Sequence, residues 1–306
     1  MNPIAAWLRE QLNRPRRWIP PDALPFEVVE PSPGETRALN AHPLFDPGRG
    51  SEPDLLIVLT TCLRVEATRR TLDGIARCVE QARQEGLGEV AVLVLEDAAE
   101  ADYEPVREAA RASLPGLVWV RSARRMGKKG YWATCQVAYL AAEATRAKQL
   151  FFVQDDLEFE DSMLVEGRRL LRGARADGSP SEPVVLSLFA SDDDEENGRW
   201  IHFPRRPLND LPVRQTQWFD LPGYLTDRDT LELLGYRIIP VPGIRWKRNP
   251  RASSGVGRQL TRRLHRRARI YQCYPPLIFH GSSDSVMNPD TREDRPMDNR
   301  TLRDSP

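Results

Sequence analysis

Two adjacent carboxylates, Asp155 and Asp156, directly follow the apolar run Leu150–Val153. A short run of this kind, bounded by charge and rich in Phe and Val, predicts a strand buried on both faces of a sheet. Open α/β sheets place ligands at the carboxyl ends of their strands, and carboxylate oxygens suit Mg²⁺ or Mn²⁺. We therefore predict a metal site here. The alternative is a pair of solvated charges opening a loop, with Asp161 or Ser162 capping the next helix.

Polar side chains also follow the other predicted strands. They are Thr60, Thr61, Cys62 and Arg64 after the first strand, Glu96 and Asp97 after the second, Arg121, Arg124 and Arg125 after the third, and Gln154 after the fourth. Because parallel strands present their carboxyl ends at one edge, these groups are expected to share one crevice. Hydroxyls, carboxylates and arginines together suit a nucleotide diphosphate, with Lys129 adding a further phosphate contact.

The elements that must position these residues alternate along the chain. Predicted strands cover Leu55–Thr61, Val90–Asp97, Leu117–Val120 and Leu150–Val153, and predicted helices cover Val65–Gln84, Tyr103–Ala112 and Tyr131–Lys148. Strands separated by helices of this length imply right-handed crossovers. The fold class predicted is α/β, with a mostly parallel central sheet and helices on both faces.

Composition limits the classes of partner. The chain has 306 residues, with 44 basic and 44 acidic side chains and four scattered cysteines. A balanced charge gives no global attraction to nucleic acid, and no apolar run approaches the roughly 20 residues of a membrane span. We expect a cytoplasmic protein without a transmembrane segment or a nucleic-acid partner.

Three segments are predicted from composition. Residues 1–52 form a proline-rich N-terminal arm with a short amphipathic helix, residues 53–285 form the main domain, and residues 286–306 form a polar tail. The arm is expected to pack over the domain or to contact a partner. The glycine-rich GxGxxG and GxxxxGK[ST] loops do not follow the first strand, which argues against Rossmann and P-loop chemistry.

With these residues in view, the chain from about 54 to 285 resembles the GT-A glycosyltransferases, most closely the N-acetylglucosaminyltransferase I type. The resemblance lies in the turn Cys62-Leu63-Arg64, in Asp97, in the segment 130–132 (Gly-Tyr-Trp) and in the segment 154–158 (Gln-Asp-Asp-Leu-Glu). That family has Glu where this chain has Gln154, which leaves the sugar open.

The resemblance implies a metal-dependent transfer of a sugar from a nucleotide-diphosphate donor, with a UDP-sugar favoured, to an acceptor hydroxyl. It implies that Asp156 holds Mn²⁺ or Mg²⁺, that Asp155 contacts the donor and that Asp97 meets the uracil. Some GT-A families also place a C-terminal histidine on the metal, which His280 matches in position. A hydrogen-bonded structural histidine is the alternative.

The catalytic base is the gap in this pattern. The family places an aspartate in a Trp-Asp-Asp-Trp motif, whereas residues 244–260 here contain no carboxylate. Candidates are Asp192 and Asp193 in an acidic loop, and Asp227 or Asp229 after a Pro-Gly turn. A retaining route needs no such base, so the stereochemistry stays open.

An arginine-rich helix is predicted over residues 254–269. Its basic face, from Arg258 to Arg269, suits an anionic membrane surface or an acidic acceptor; a solvated face balanced by the acids at 192–196 is the alternative. Two other functions remain open for the whole chain. These are a degenerate, non-enzymatic GT-A domain serving as a scaffold or anionic-surface binder, and a nucleotidyltransferase.

Overall fold

The structure is a computed structural model that describes residues 24–32, 34–48, 51–97, 100–177, 182–189, 206–208, 211–216, 221–249 and 252–280. The predicted N-terminal helix, the acidic loop with Asp192 and Asp193, and the predicted polar tail lie outside these residues. Within them, no helix has the length and apolar character needed to cross a membrane.

The strands of the described residues are β1 (Phe26–Val29), β2 (Thr36–Ala38), β3 (Leu55–Thr61), β4 (Val90–Glu96), β5 (Val118–Ser122), β6 (Gln149–Gln154), β7 (Leu157–Phe159), β8 (Val184–Ser187), β9 (Arg206–Leu208), β10 (Leu211–Thr216), β11 (Gly223–Asp227), β12 (Arg269–Cys273) and β13 (Ile278–His280). The α-helices are α1 (Val65–Gln84), α2 (Glu104–Ser113), α3 (Gly127–Thr145), α4 (Met163–Ala176), α5 (Arg228–Leu233), α6 (Ile244–Arg248) and α7 (Val256–Leu264). Two short 3-10 helices cover Leu39–Ala41 and Pro43–Phe45.

A large sheet forms the centre of the molecule, with the strand order β2-β1-β5-β4-β3-β6-β11-β8-β12-β10-β9. Strands β5, β4, β3 and β6 are parallel neighbours, as are β8 and β12. The antiparallel strand β11 separates β6 from β8, so β8 and β12 run in the direction of β6. The prediction of an α/β fold around a mostly parallel sheet is confirmed.

Strand β3 lies at the centre because it is apolar on both faces. Leu55, Ile57 and Leu59 pack into the core under helices α1, α2 and α4, whereas Leu56 and Val58 pack into the core under α3, α5 and α7. Successive side chains of a strand point to opposite faces. A continuous apolar run therefore selects a position with helices on both sides.

Two boundaries predicted from the sequence differ in the structure. Part of the predicted arm belongs to the sheet, since β1 pairs with β5 and Phe26 is buried. The helix predicted over residues 254–269 ends at Leu264, and Arg269 begins β12. The burial of Arg269 is compensated, because its guanidinium donates to the carbonyl of Ala174 and pairs with Glu182.

Candidate functional site

A tight turn joins β3 to α1 at the carboxyl edge of the sheet. Leu63 adopts a left-handed conformation with φ 58°, which a branched side chain seldom takes. The backbone N–H of Arg64 donates to the Tyr103 hydroxyl at 3.0 Å, and the carbonyl of Arg64 accepts the first helical bond from Thr68 at 2.9 Å. These contacts fix the turn so that the Arg64 side chain returns to the sheet edge.

Asp155 directly follows β6, the strand beside β3, and accepts the hydrogen bonds that hold this turn. Its carboxylate accepts from the Thr61 hydroxyl at 2.8 Å and from the Cys62 N–H at 3.3 Å. Arg64 donates to it from Nε at 3.2 Å and from Nη2 to the second oxygen. The residue is 1% exposed. Asp155 therefore positions the turn in addition to facing the crevice.

Asp156 lies on the other side of the same guanidinium. Arg64 Nη1 donates to Asp156 Oδ2 at 2.9 Å, so one arginine bridges both carboxylates. The Thr71 hydroxyl donates to the Asp155 carbonyl at 3.0 Å and fixes the backbone between them. Together with Asp155 and Glu158, Asp156 lines a cavity of about 340 Å³.

The charges of this cluster are coupled. Burial raises the pKa of the Asp155 carboxyl to about 6, while Arg64 acts to lower it. Burial works to lower the pKa of Arg64, but Asp155 and Asp156 outweigh it and the pKa rises. One positive and two negative groups share this space, so the cluster retains an excess of negative charge when all three are ionised.

A pocket of about 370 Å³ opens beside the cluster at the carboxyl ends of β3, β4 and β6. Its lining combines carboxylates with an excess of cations. The lining residues are Thr60, Thr61, Cys62, Arg64, Asp97, Arg125, Met126, Gly127, Lys128, Lys129, Tyr131, Thr134, Gln154 and Asp155. Of the predicted donor-binding residues, all but Glu96 meet here.

Asp97 shapes one wall of the pocket by holding the start of α3. Its two oxygens accept from the N–H groups of Met126 and Gly127 at 2.6 and 2.7 Å. The first turn of a helix carries a partial positive charge, and here it also carries Lys128 and Lys129. The wall is therefore suited to an anion.

The floor of the pocket is a hydroxyl and amide network. Tyr131 is buried, and its hydroxyl lies 3.3 Å from the Thr60 hydroxyl and accepts from Gln154 Nε2 at 3.1 Å. Burial raises the pKa of Tyr131 well above its usual value, so this group stays a neutral phenol. This part of the pocket, including the amide of Gln154, is therefore polar but uncharged.

Besides Asp156, the predicted site residues Glu96 and Asp227 do not line the pocket. Glu96 points into the core, accepts from Trp119 Nε1 at 2.7 Å and lies 3.5 Å from Arg107; burial raises its pKa to about 7. It is not placed to contact a donor, because neighbouring residues of a strand face opposite sides and Asp97 takes the pocket side.

Asp227 is at the wrong edge of the sheet for a catalytic base at this pocket. It ends β11, which is antiparallel to β6, and pairs in register with Gln149 at the amino end of β6. Its carboxylate caps α5 through the Thr230 N–H at 3.1 Å and binds Arg175 at 2.7 Å. Asp229 binds the same arginine. Both carboxylates stabilise a helix start on the far side.

His280 ends the described chain beside the aspartate pair. Strand β13 pairs with β7 so that His280 is opposite Leu157, the residue after Asp156. The backbone thus brings the predicted histidine next to the predicted metal residue. The sequence analysis did not identify Tyr103, whose hydroxyl contacts Thr61 and the turn, because a single tyrosine at the start of a predicted helix is no signal of a functional role.

The carboxylates fit a hard divalent cation in the way that Mg²⁺ and Mn²⁺ are often held. Such ions bind one or two carboxylates and take their remaining ligands from phosphates and water. Within the described residues no cluster of three His, Cys, Asp or Glu side chains offers a complete cage. Asp156 already pairs with the guanidinium of Arg64, so its surroundings favour a positive charge.

No protein-family model and no curated protein matches the chain. Among solved structures, a mannosyltransferase from Pyrobaculum calidifontis in complex with GDP-Man and Mn²⁺ is 14% identical, with a TM-score of 0.39 over 76% of this chain and 54% of its own. TarS of S. aureus is 11% identical, with a TM-score of 0.42 over 72% of this chain and 36% of its own.

A mycobacterial protein is 19% identical, with a TM-score of 0.43 over 78% of this chain and 70% of its own. The chain therefore spans about half of the mannosyltransferase and about a third of TarS. These likenesses are too low to assign a function to the chain.

Proposed function

We propose that this chain is a glycosyltransferase that uses a nucleotide-diphosphate sugar, with a UDP-sugar as the favoured donor and Mn²⁺ or Mg²⁺ as the cofactor. The observation that carries the proposal is the pocket at the carboxyl edge. Its lining combines the cationic Arg125, Lys128 and Lys129 with the buried carboxylates of Asp97 and Asp155. In a nucleotide-diphosphate sugar, the anionic diphosphate matches the cations, and the neutral polar groups of the nucleoside and sugar match the carboxylates.

The cationic wall binds the diphosphate in this proposal. Arg125, Lys128 and Lys129 supply charge-assisted hydrogen bonds, and the first turn of α3 adds its partial positive charge. Asp97 contributes indirectly, because it fixes the position of that turn. The neutral floor of Thr60, Tyr131 and Gln154 faces the less charged parts of the donor.

Asp156, with Asp155 beside it, would hold the divalent cation. When bound, such an ion neutralises charge on the departing diphosphate. Arg64 keeps the two carboxylates together and compensates their charge from the protein side. This arrangement orients the aspartates before any ligand arrives.

The general base is not among the carboxylates that line this pocket in the described residues. Asp97 caps α3, and Asp155 is bound by Arg64, Thr61 and Cys62. Neither is free to take a proton from an acceptor hydroxyl. Asp192 and Asp193 therefore remain the proposed candidates if the transfer inverts the anomeric carbon.

The test is release of nucleoside diphosphate from UDP-, GDP- and dTDP-sugars, with Mn²⁺ or with a chelator. We expect release from a UDP-sugar that requires the metal and is abolished by Asp156→Ala. Asp161→Ala is the matched control, because Asp161 is an exposed carboxylate paired with Arg77. Unchanged turnover in Asp156→Ala would show that the metal assignment is wrong. Pyrophosphate release from a nucleoside triphosphate would instead identify a nucleotidyltransferase.

A further inference from the structure

The charge of this chain is strongly segregated although its total is zero. From Leu233 to Ser283 the sequence contains eleven Lys and Arg residues and no Asp or Glu. The rest of the chain therefore carries a net negative charge. A positive region of this density attracts anionic partners when its side chains are exposed.

Helices α6 and α7 present these charges on one surface. We call it the basic surface and define it by Arg245, Lys247, Arg248, Arg258 and Arg262. Four of these side chains are exposed and Arg245 is partly buried. Arg245 lies against the start of α7, since a Cβ added to Gly255 would be 3.2 Å from its Nε, and Arg258 and Arg262 act with burial to lower the pKa of Arg245.

The fold builds this surface rigidly. Val256, Leu260 and Leu264 are buried on one face of α7, which directs Arg258 and Arg262 outward. Trp246 is 5% exposed and anchors α6, and its indole N–H donates to the Ala252 carbonyl at 3.2 Å. Arg245 donates to the Ser253 carbonyl at 3.0 Å. Ala252 and Ser253, which precede α7, are thus held against α6.

Like charges lie close together on the basic surface. Arg258 and Arg262 are four residues apart on α7, and like charges at that spacing destabilise a helix. Within the described residues, no ion pair joins the basic surface to a carboxylate. An external anionic partner would remove this repulsion.

Exposed apolar side chains lie beside the charges. Ile244 is 53% exposed and Ile239 is 39% exposed, and they are the two most exposed large hydrophobic residues of the described chain. Ile244, Lys247 and Arg248 share one face of α6 because they are three and four residues apart. Gln259 holds Ile239 in place by exchanging two hydrogen bonds with its backbone, of 2.8 and 2.9 Å.

We propose that the basic surface docks on the headgroups of an anionic lipid bilayer, with Ile244 and Ile239 entering the interface. Basic residues near a membrane are attracted by anionic headgroups, and aliphatic side chains gain by leaving water at the headgroup boundary. A nucleic acid would meet the same positive charges, but its phosphates would give the exposed isoleucines no such gain. The proposal is independent of the donor chemistry.

The test is co-sedimentation of the full chain with vesicles of phosphatidylcholine and phosphatidylglycerol in equal parts, compared with phosphatidylcholine alone. We expect binding to the anionic vesicles that weakens as salt is added. Arg258→Gln/Arg262→Gln should weaken it roughly 30-fold, at about fivefold for each arginine. Ile244→Ser should also weaken it, with the charge unchanged.

The matched control is Arg83→Gln/Arg172→Gln, which removes the same charge from exposed positions on α1 and α4. Those helices cover the opposite face of the sheet, so this variant should bind like the parent. Equal weakening by both double variants would overturn the proposal, as would equal binding to neutral vesicles. Binding to duplex RNA that does not respond to Ile244→Ser, with no vesicle binding, would identify a nucleic-acid surface instead. Circular dichroism confirms that each variant is folded.

Discussion

The bridging arginine allows a quantitative prediction. Arg64→Gln leaves two adjacent carboxylates that are 1% and 7% exposed without the guanidinium between them. Breaking a buried ion pair by removing one partner costs about 3–5 kcal/mol. The Arg64 side chain is 15% exposed, so we expect the lower value, about 3 kcal/mol. For a chain of this size that corresponds to a fall in Tm of roughly 6 °C.

The measurement is thermal unfolding of Arg64→Gln beside Arg77→Gln. Arg77 is on α1, the helix that Arg64 precedes, and pairs with Asp161, but the two side chains are 57% and 54% exposed. Exposed pairs contribute about 0–1 kcal/mol, so the control should melt close to the parent. Mn²⁺ should stabilise Arg64→Gln more than the parent, because the cation takes the place of the lost charge. Equal melting of the two variants, or an equal effect of Mn²⁺ on variant and parent, would show that Arg64 does not compensate the charge of Asp155 and Asp156.

Two further changes test the surroundings of the pocket. Burial raises the pKa of Glu96 from 4.5 to about 7, so the parent should lose stability as pH rises through that interval. Glu96→Gln should therefore be more stable than the parent by about 3 kcal/mol above pH 7 and no more stable below pH 4.5, as measured by urea unfolding; parallel pH profiles would contradict this. Tyr131→Phe removes the hydroxyl between Thr60 and Gln154 and should cost about 1 kcal/mol of stability and weaken nucleotide binding. A titration in which Tyr131→Phe binds nucleotide like the parent would exclude a role for the floor.

Local sequence patterns were sufficient to predict the strand and the helix that form one side of the pocket. The strand Leu55–Thr61 and the helix Val65–Gln84 have the predicted bounds, because a continuous apolar run and a 3.6-residue periodicity each specify one structure. The rule that parallel strands end at one edge also brought Thr60, Arg64 and Asp97 together.

Local sequence patterns do not predict which strands pair when they are far apart in the chain. Nothing in the segment Gly223–Asp227 indicates that it enters the sheet antiparallel between two strands of the opposite direction, and that insertion moves Asp227 to the far edge. The orientation of Glu96 depends on the phase of β4, which places Asp97 and not Glu96 on the pocket side. The double role of Arg64 depends on the turn at Leu63 and therefore on contacts from Tyr103 and Asp155.

The proposed function requires that the pocket binds a nucleoside diphosphate and that Asp156, on the other side of the Arg64 guanidinium, holds a divalent cation. Calorimetric titration of UDP and of GDP, with Mn²⁺ and with a chelator, tests it directly. We predict that UDP binds with Mn²⁺, and that a chelator or Asp156→Asn weakens this by more than roughly tenfold, equivalent to about 1.4 kcal/mol. Absence of nucleotide binding, or binding that is the same without metal and in Asp156→Asn, would contradict the account.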